Sequence, residues 1–170
     1  MKIYLANDLF SEANRDYNLK VSRMISEKFG EAVTQYVPQL NDGINDKNSY
    51  ADAQMIADAD IDELMTSDIL VAILDSNDVG VALEIGAAYQ SGMPIVGLYT
   101  DVRQFGAGNQ QKIEALKKIG QNQFSYVNLM ETGMIMNAGY LVNNTDDMLT
   151  AIDRIIDKLN LEVFKSLGGH

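Results

Sequence analysis

The side chains best suited to chemistry in this sequence are carboxylates. The chain has no cysteine and one histidine, His170, its last residue. Thiolate nucleophiles, cysteine-ligated metals and histidine general bases therefore drop out, and acid–base work falls to carboxylates and tyrosines. Three acids share one stretch: Asp75 and Asp78 flank Ser76-Asn77, and Glu84 follows Asp78 by six residues. If the chain after Asp78 is helical, the neighbours of Glu84 one turn away are Gly80, Val81, Ala87 and Ala88. A carboxylate on so small and apolar a row faces the protein or a cavity, because a solvated helix face carries more charge. Two readings follow from this spacing: Glu84 is a reactive acid beside a ligand, or it is the lone acid of a tightly packed, N-capped helix and reaches to water. Gly80 and Gly86 each cost a helix about 1 kcal/mol relative to alanine, and a close approach by ligand or backbone would account for them. Asp60 also sits on an apolar row, with Ile56, Ala57 and Leu64 a turn away. It is either a site acid or the edge of a solvated face.

The elements that must carry these acids can be read in order. Ile69 to Leu74 is an unbroken apolar run of strand length, as in a strand covered on both faces, and Asp75 to Asp78 supplies turn and N-cap residues for a helix. Lys2 to Ala6 reads as the first strand, and Ser11 caps a helix from Glu12 to Phe29 that Gly30 ends. Ala32 to Tyr36 is the second strand. Pro38 to Ser49, rich in Asn, Asp and Gly, is a long loop that either closes over a site or is plain surface. A helix from Tyr50 or Ala51 to Met65 follows it. Beyond the central pair, Pro94 to Tyr99 is a fourth strand, and Thr100 to Gln110, with Gly106 and Gly108, is a loop. Gln111 to Ile119 and Asn128 to Asn137 read as helices, and Gly139 to Val142 as a fifth strand. Asp146 to Asn160 is an amphipathic helix with Met148, Leu149, Ile152, Ile155, Ile156 and Leu159 inward. The nine methionines, spread along the chain, read as core filler.

This alternation predicts an α/β fold, a doubly wound five-stranded parallel sheet that is flavodoxin-like, with strand order 2-1-3-4-5. One domain spans residues 1–160, and residues 161–170 form the end of the last helix and a tail. The switch point lies between the first and third strands, so Tyr4, Asn7 and Asp8 face Asp75, Asp78 and Glu84 where such sheets bind ligands. A tyrosine hydroxyl beside a carboxylate orients it and holds its ionised form, although Tyr4 alone is equally a strand aromatic.

Composition narrows the partners. A length of 170 residues with 46% hydrophobic and 22% charged residues suits a single globular domain. A formal charge of −11 argues against nucleic acid and anionic membrane surfaces, which need a basic stripe. No apolar run approaches the ~18 residues of a membrane helix, and the first strand starts at Lys2, which leaves no room for a signal peptide. With cysteine absent as well, the expected location is the cytoplasm.

An opening Ile3-Tyr4-Leu5-Ala6 strand with Phe10 nearby, and Asp78-Val79-Gly80-Val81-Ala82-Leu83-Glu84-Ile85-Gly86 after the third strand, resemble the nucleoside 2-deoxyribosyltransferase family. The resemblance covers residues 1–160 and rests chiefly on the Asp-x-Gly-x-x-x-Glu-x-Gly pattern in its strand-turn-helix context. It implies that Glu84 attacks C1′ of a 2′-deoxynucleoside, releases the base and holds the deoxyribosyl group until another base accepts it. By the same resemblance Tyr4 hydrogen-bonds the nucleophile, Asp60 handles the leaving or entering base, and Asp78 contacts the sugar hydroxyls. Phe10, Gly80, Asn128 and Met130 match substrate-binding positions, with Asn128-Leu129-Met130 reaching into a neighbouring subunit's site. The implied assembly is a hexameric homo-oligomer acting on 2′-deoxynucleosides and free nucleobases, with no metal and no organic cofactor. Asn7-Asp8-Leu9-Phe10 departs from the family's glycine-rich versions, which leaves base preference open.

Two alternatives remain at this level. A hydrolase of 2′-deoxynucleoside 5′-monophosphates shares the fold, but a phosphate wants backbone donors and positive charge, whereas the first loop offers Asp8, with Arg15 close in sequence. A non-catalytic nucleotide-binding or receiver-like module would use Asp8 and Asp75 as an Mg²⁺ pocket with Thr100 nearby. That design expects a lysine after the fifth strand, where this chain has Asn143-Asn144.

Overall fold

A computed structural model describes residues 1–46, 48, 50–102, 108–120 and 127–166. Gly106, most of the middle of the 100–110 loop, and the last residues with His170 lie outside them. The strands are β1 (Lys2–Ala6), β2 (Thr34–Tyr36), β3 (Ile69–Ile73), β4 (Ile95–Leu98) and β5 (Tyr140–Val142). The helices are α1 (Glu12–Phe29), α2 (Asp42–Asn45), α3 (Ala53–Met65), α4 (Val79–Ser91), α5 (Gln110–Gly120), α6 (Leu129–Ala138) and α7 (Thr145–Ser166). The strands form one parallel sheet in the order β2-β1-β3-β4-β5, the doubly wound arrangement expected from the alternation.

Every residue of β3 is buried, because helices cover both faces of the sheet. Side chains alternate between two cores. Ile3, Leu5, Ile69, Val71, Ile73, Val96 and Leu98 pack with Val21 and Ile25 of α1 and Met148, Ile152 and Ile155 of α7. Tyr4, Ala6, Leu70, Ala72 and Ile95 pack on the other face with Leu64 of α3, Val81 and Ile85 of α4 and Ile135 of α6. The α3–α4 face is the one that bears on the site.

Several boundaries differ from the sequence reading, each for a local reason. β2 starts at Thr34 because Gly30–Ala32 makes a 3-10 turn, entered through Gly30 at φ 54°, whose N–H bonds Ser26 O. The stretch from Pro38 to Asp46 is organised rather than a plain loop: Pro38–Leu40 forms a 3-10 turn, Pro38 and Gln39 are buried, and α2 follows. Asn45 Nδ2 ties this segment together by donating to Pro38 O at 2.7 Å and Asn41 O at 2.9 Å. α3 begins at Ala53 because the Asp52 carboxylate caps it, accepting from Met55 N–H. α7 runs past the expected Asn160 to Ser166, with Leu161, Val163 and Phe164 exposed. Methionine as general core filler is also corrected. Met93 and Met148 are buried, but Met55, Met65, Met130 and Met136 are exposed.

The turn into β5 depends on Gly139. A Cβ placed there would lie 2.0 Å from the carbonyl oxygen of Ile95, so the β4 backbone occupies the space of any side chain. Gly139→Ala is expected to cost about 3 kcal/mol of folding stability, since backbone cannot step aside cheaply. Urea unfolding checks this, and a loss below about 1 kcal/mol would show that the β4–β5 junction yields.

Candidate functional site

Tyr4 is fully buried in β1, in register with Tyr36 of β2 on one side and Leu70 of β3 on the other. Its hydroxyl donates to Glu84 Oε1 at 2.5 Å. The turn after β3 sets that contact. Asn77 takes a left-handed φ of 50°, a conformation asparagine tolerates better than most residues, and turns the chain into α4. Asp78 then caps the helix, its Oδ1 accepting from Val81 N–H at 3.1 Å. A Cβ on Gly80 would come within 2.9 Å of that oxygen, so the close approach at Gly80 is the capping carboxylate itself. At Gly86 no described atom of the chain lies within 4 Å of a Cβ, so the chain's own backbone makes no close approach there.

The second acid is held by the second tyrosine. Tyr36 donates its hydroxyl to Asp60 Oδ1 at 3.2 Å and accepts from Asn41 Nδ2 at 2.9 Å. The two tyrosine rings lie 5.1 Å apart between centroids, tilted by 37°. Burial pushes the Glu84 carboxyl up to about 7; the Tyr4 hydrogen bond pulls it down, and the negative charges of Asp60 and Asp78 push it further up. Burial and the facing Glu84 raise Tyr4 far above the usual phenol range, so it stays a donor. Asp60 is raised as well, by burial, with the Tyr36 hydrogen bond opposing. Glu84 is the more strongly raised of the two because it lies deeper. A pairing in which Asp60 holds its proton longer would show the reverse in the free protein. Tyr4→Phe removes the bond that favours the charged form and is expected to move the Glu84 titration to higher pH, which NMR of the side-chain carboxyl carbon would follow. An unchanged titration would mean that this bond does not support the ionised form.

Tyr4, Asp60, Asp78 and Glu84 thus come together at the carboxyl edge of β1 and β3, with Gly80 in the first turn of α4. Phe10, Asn128 and Met130 do not join this group. Phe10 is exposed in the first loop, its N–H donating to Asp8 Oδ1, and Asn128 caps α6 by accepting from Met130 N–H at 2.9 Å, both residues exposed. Asp8 and Asp75 are each engaged by local hydrogen bonds. Asp8 also accepts from Asn14 Nδ2, while Asp75 accepts from Thr100 N–H at 2.6 Å and Thr100 Oγ1 at 2.5 Å, so both carboxylates tie loops together. Among the described residues no cluster of three or more histidine, aspartate and glutamate side chains could hold a metal ion, and no helix is long and apolar enough to cross a membrane.

Tyr36 and Asn41 are the site residues that the sequence reading missed. The signal for Tyr36 was its place at the end of the second strand, since a 2-1-3 order puts that strand end beside Tyr4. Asn41 carries no such signal.

A family model for nucleoside 2-deoxyribosyltransferases matches residues 3–151. The chain belongs to that family. Among solved structures, this nucleoside 2-deoxyribosyltransferase family member is similar to a conserved protein from Enterococcus faecalis V583. The identity is 47% and the TM-score 0.75, with 90% of this chain and 97% of that one covered. It also shares its fold with the 2-deoxyribosyltransferase of Bacillus psychrosaccharolyticus, at 21% identity and a TM-score of 0.60 over 88% of this chain and 90% of that one. No curated protein matches the family member's sequence.

Proposed function

We propose that the protein transfers the 2-deoxyribosyl group between nucleobases of 2′-deoxynucleosides through a covalent glycosyl ester on Glu84. The observation that carries this reading is the partly buried Glu84 carboxylate held by Tyr4, with Asp60 close enough for its charge to push the Glu84 titration upward. Tyr4 occupies Oε1 and leaves Oε2 to attack C1′. As the C1′–N bond breaks, its electron pair goes to the base nitrogen, which takes the proton of Asp60, and the Glu84 carboxylate forms the new C1′–O bond. Return runs backwards with a second base, whose N–H proton passes to Asp60 as its nitrogen displaces Glu84. Positive charge developing at C1′ favours ionised Glu84 over ionised Asp60, which assigns the proton to Asp60 despite the opposite order in the free protein.

The remaining roles follow from atoms left unused by capping. Asp78 spends Oδ1 on Val81 N–H and keeps Oδ2 for a sugar hydroxyl; Asn128 spends Oδ1 on Met130 N–H and keeps its amide donors. Phe10 and Met130 are 81% and 70% exposed in one chain, as are Val79 and Leu83 at 73% and 70%. Apolar side chains this bare support a homo-oligomer, hexameric by the family pattern, in which a neighbouring subunit's α6 completes the pocket and keeps water from the ester. We place the reaction in the cytoplasm, where deoxynucleosides and free bases are salvaged, with no metal or organic cofactor taking part.

The test is chromatographic: 2′-deoxyinosine with free adenine, beside reactions without adenine and with 2′-deoxynucleoside 5′-monophosphates. Formation of 2′-deoxyadenosine that depends on adenine is the expected result. Base released from the monophosphates alone would replace this reading with a hydrolase. The first loop argues against that outcome, because Asp8 already takes the Phe10 N–H that a phosphate would want. No turnover with any base would leave a binding module.

A further inference from the structure

We propose that Tyr36 and Asn41 are positioning residues that fix which oxygen of Asp60 carries the transferable proton. The inference rests on the reading of Asp60 as the acid that serves the base. Hydrogen-bond polarity is the argument. Gly43 N–H can only donate, and it points at Asn41 Oδ1 at 3.0 Å. Asn41 must therefore turn its Nδ2 toward Tyr36, where the amide donates to the hydroxyl oxygen at 2.9 Å. That oxygen, already accepting, directs its own proton at Asp60 Oδ1, 3.2 Å away. A proton on Asp60 Oδ1 would face the Tyr36 proton, so the acid form carries its proton on Oδ2, the oxygen free to meet a base. The chain runs one way from a backbone N–H at the start of α2 to a carboxylate on α3.

Two further facts keep the device in place. The Tyr36 ring lies against Tyr4, which limits how far the hydroxyl can swing. Burial raises the Tyr36 phenol to about 12, so it remains a donor across any working pH. The titratable groups that act on Asp60 or on its tyrosine are Tyr4 from β1, Tyr36 from β2, Glu84 from α4 and Glu63 on α3 itself, and the Lys2 ammonium lies 6.0 Å from the Tyr36 ring centroid. Lys2 is engaged by Glu63 and Thr66, and among the described residues no ion pair is made to Asp60, so hydrogen-bond direction decides its proton.

Tyr36→Phe keeps the ring and removes the hydroxyl. Asp60 must be protonated to serve the leaving base, so activity falls as pH rises through its titration. The Tyr36 bond favours the ionised form and holds that titration down. The variant is therefore expected to lose about tenfold in kcat on 2′-deoxyinosine while its alkaline limb moves to higher pH. A 2′-deoxynucleoside of an N7-methylated purine, whose base leaves without taking a proton, should change by no more than about twofold. Asn41→Ala frees the hydroxyl to rotate and should give a smaller loss with the same substrate selectivity. Equal slowing of both donors with an unmoved alkaline limb would overturn the inference and leave Tyr36 a packing role. Asp60→Asn, assayed in parallel, separates the layers. If it discriminates between the donors and Tyr36→Phe does not, the positioning inference alone falls; if it slows both equally, the acid assignment falls and takes the inference with it.

Discussion

Glu84→Gln and Glu84→Ala are expected to lose deoxyribosyl transfer by ~10³-fold or more while leaving the fold intact. The amide keeps the shape of the side chain and accepts the Tyr4 hydrogen bond, but it cannot form the ester on which both halves of the exchange depend. Near-normal turnover in either variant would refute Glu84 as nucleophile. The same substitution carries a stability consequence of definite sign. The folded Glu84 carboxyl titrates at about 7 against an unfolded value of 4.5. Burial of the charge therefore costs nothing below pH 4.5 and the full penalty above pH 7. Glu84→Gln removes that penalty, so it should match the parent near pH 4 and exceed it at pH 8 by on the order of 2–3 kcal/mol. Urea unfolding at the two pH values checks the difference. A variant weaker than the parent at pH 8 would mean that the ionised carboxylate holds the fold together, which the placement of Tyr4 and Asp60 does not suggest.

Asp60→Asn is expected to lower kcat for transfer from ordinary 2′-deoxynucleosides by ~10²–10⁴-fold with little change in KM. The amide can still accept from Tyr36, so the pocket keeps its shape, but the leaving base departs as an anion. Because the entering base must give up its proton to the same group, both half-reactions should slow together. Rapid-quench measurement of base release, followed by acceptor addition, distinguishes them. A raised KM at unchanged kcat would reduce Asp60 to a binding contact.

The central strand, the turn and Glu84 were legible because a fully buried strand and an N-cap leave strong marks: six apolar residues in a row from Ile69, then Asp78 ahead of a helix. The sheet order followed from the alternation of elements and the handedness of their connections. Tyr36 was hidden by its strand, which is three residues long and half exposed, so its pattern says little about which side chain meets which. Asn41 was hidden for a different reason. It acts through the cap of a four-residue helix in a segment whose Asn, Asp and Gly content signals turns but not their order. The glycines show the same limit: spacing flagged Gly80 and Gly86 alike, and only the position of the Asp78 carboxylate tells them apart. The exposed methionines mislead because residue type alone does not say which apolar side chains the fold leaves bare.

Each acid hangs from its own tyrosine, and the two tyrosines occupy partnered positions on adjacent parallel strands. Neighbouring strands are separated by about 4.8 Å through their backbone ladder, whatever the side chains. The offset between the two hydroxyls is thus set by a ruler of main-chain hydrogen bonds in the middle of the fold, not by the loops that ring the pocket. On the proposed chemistry, substitutions in those loops are expected to alter which base is accepted while leaving Glu84 and Asp60 at the same spacing, so selectivity and chemistry would vary separately.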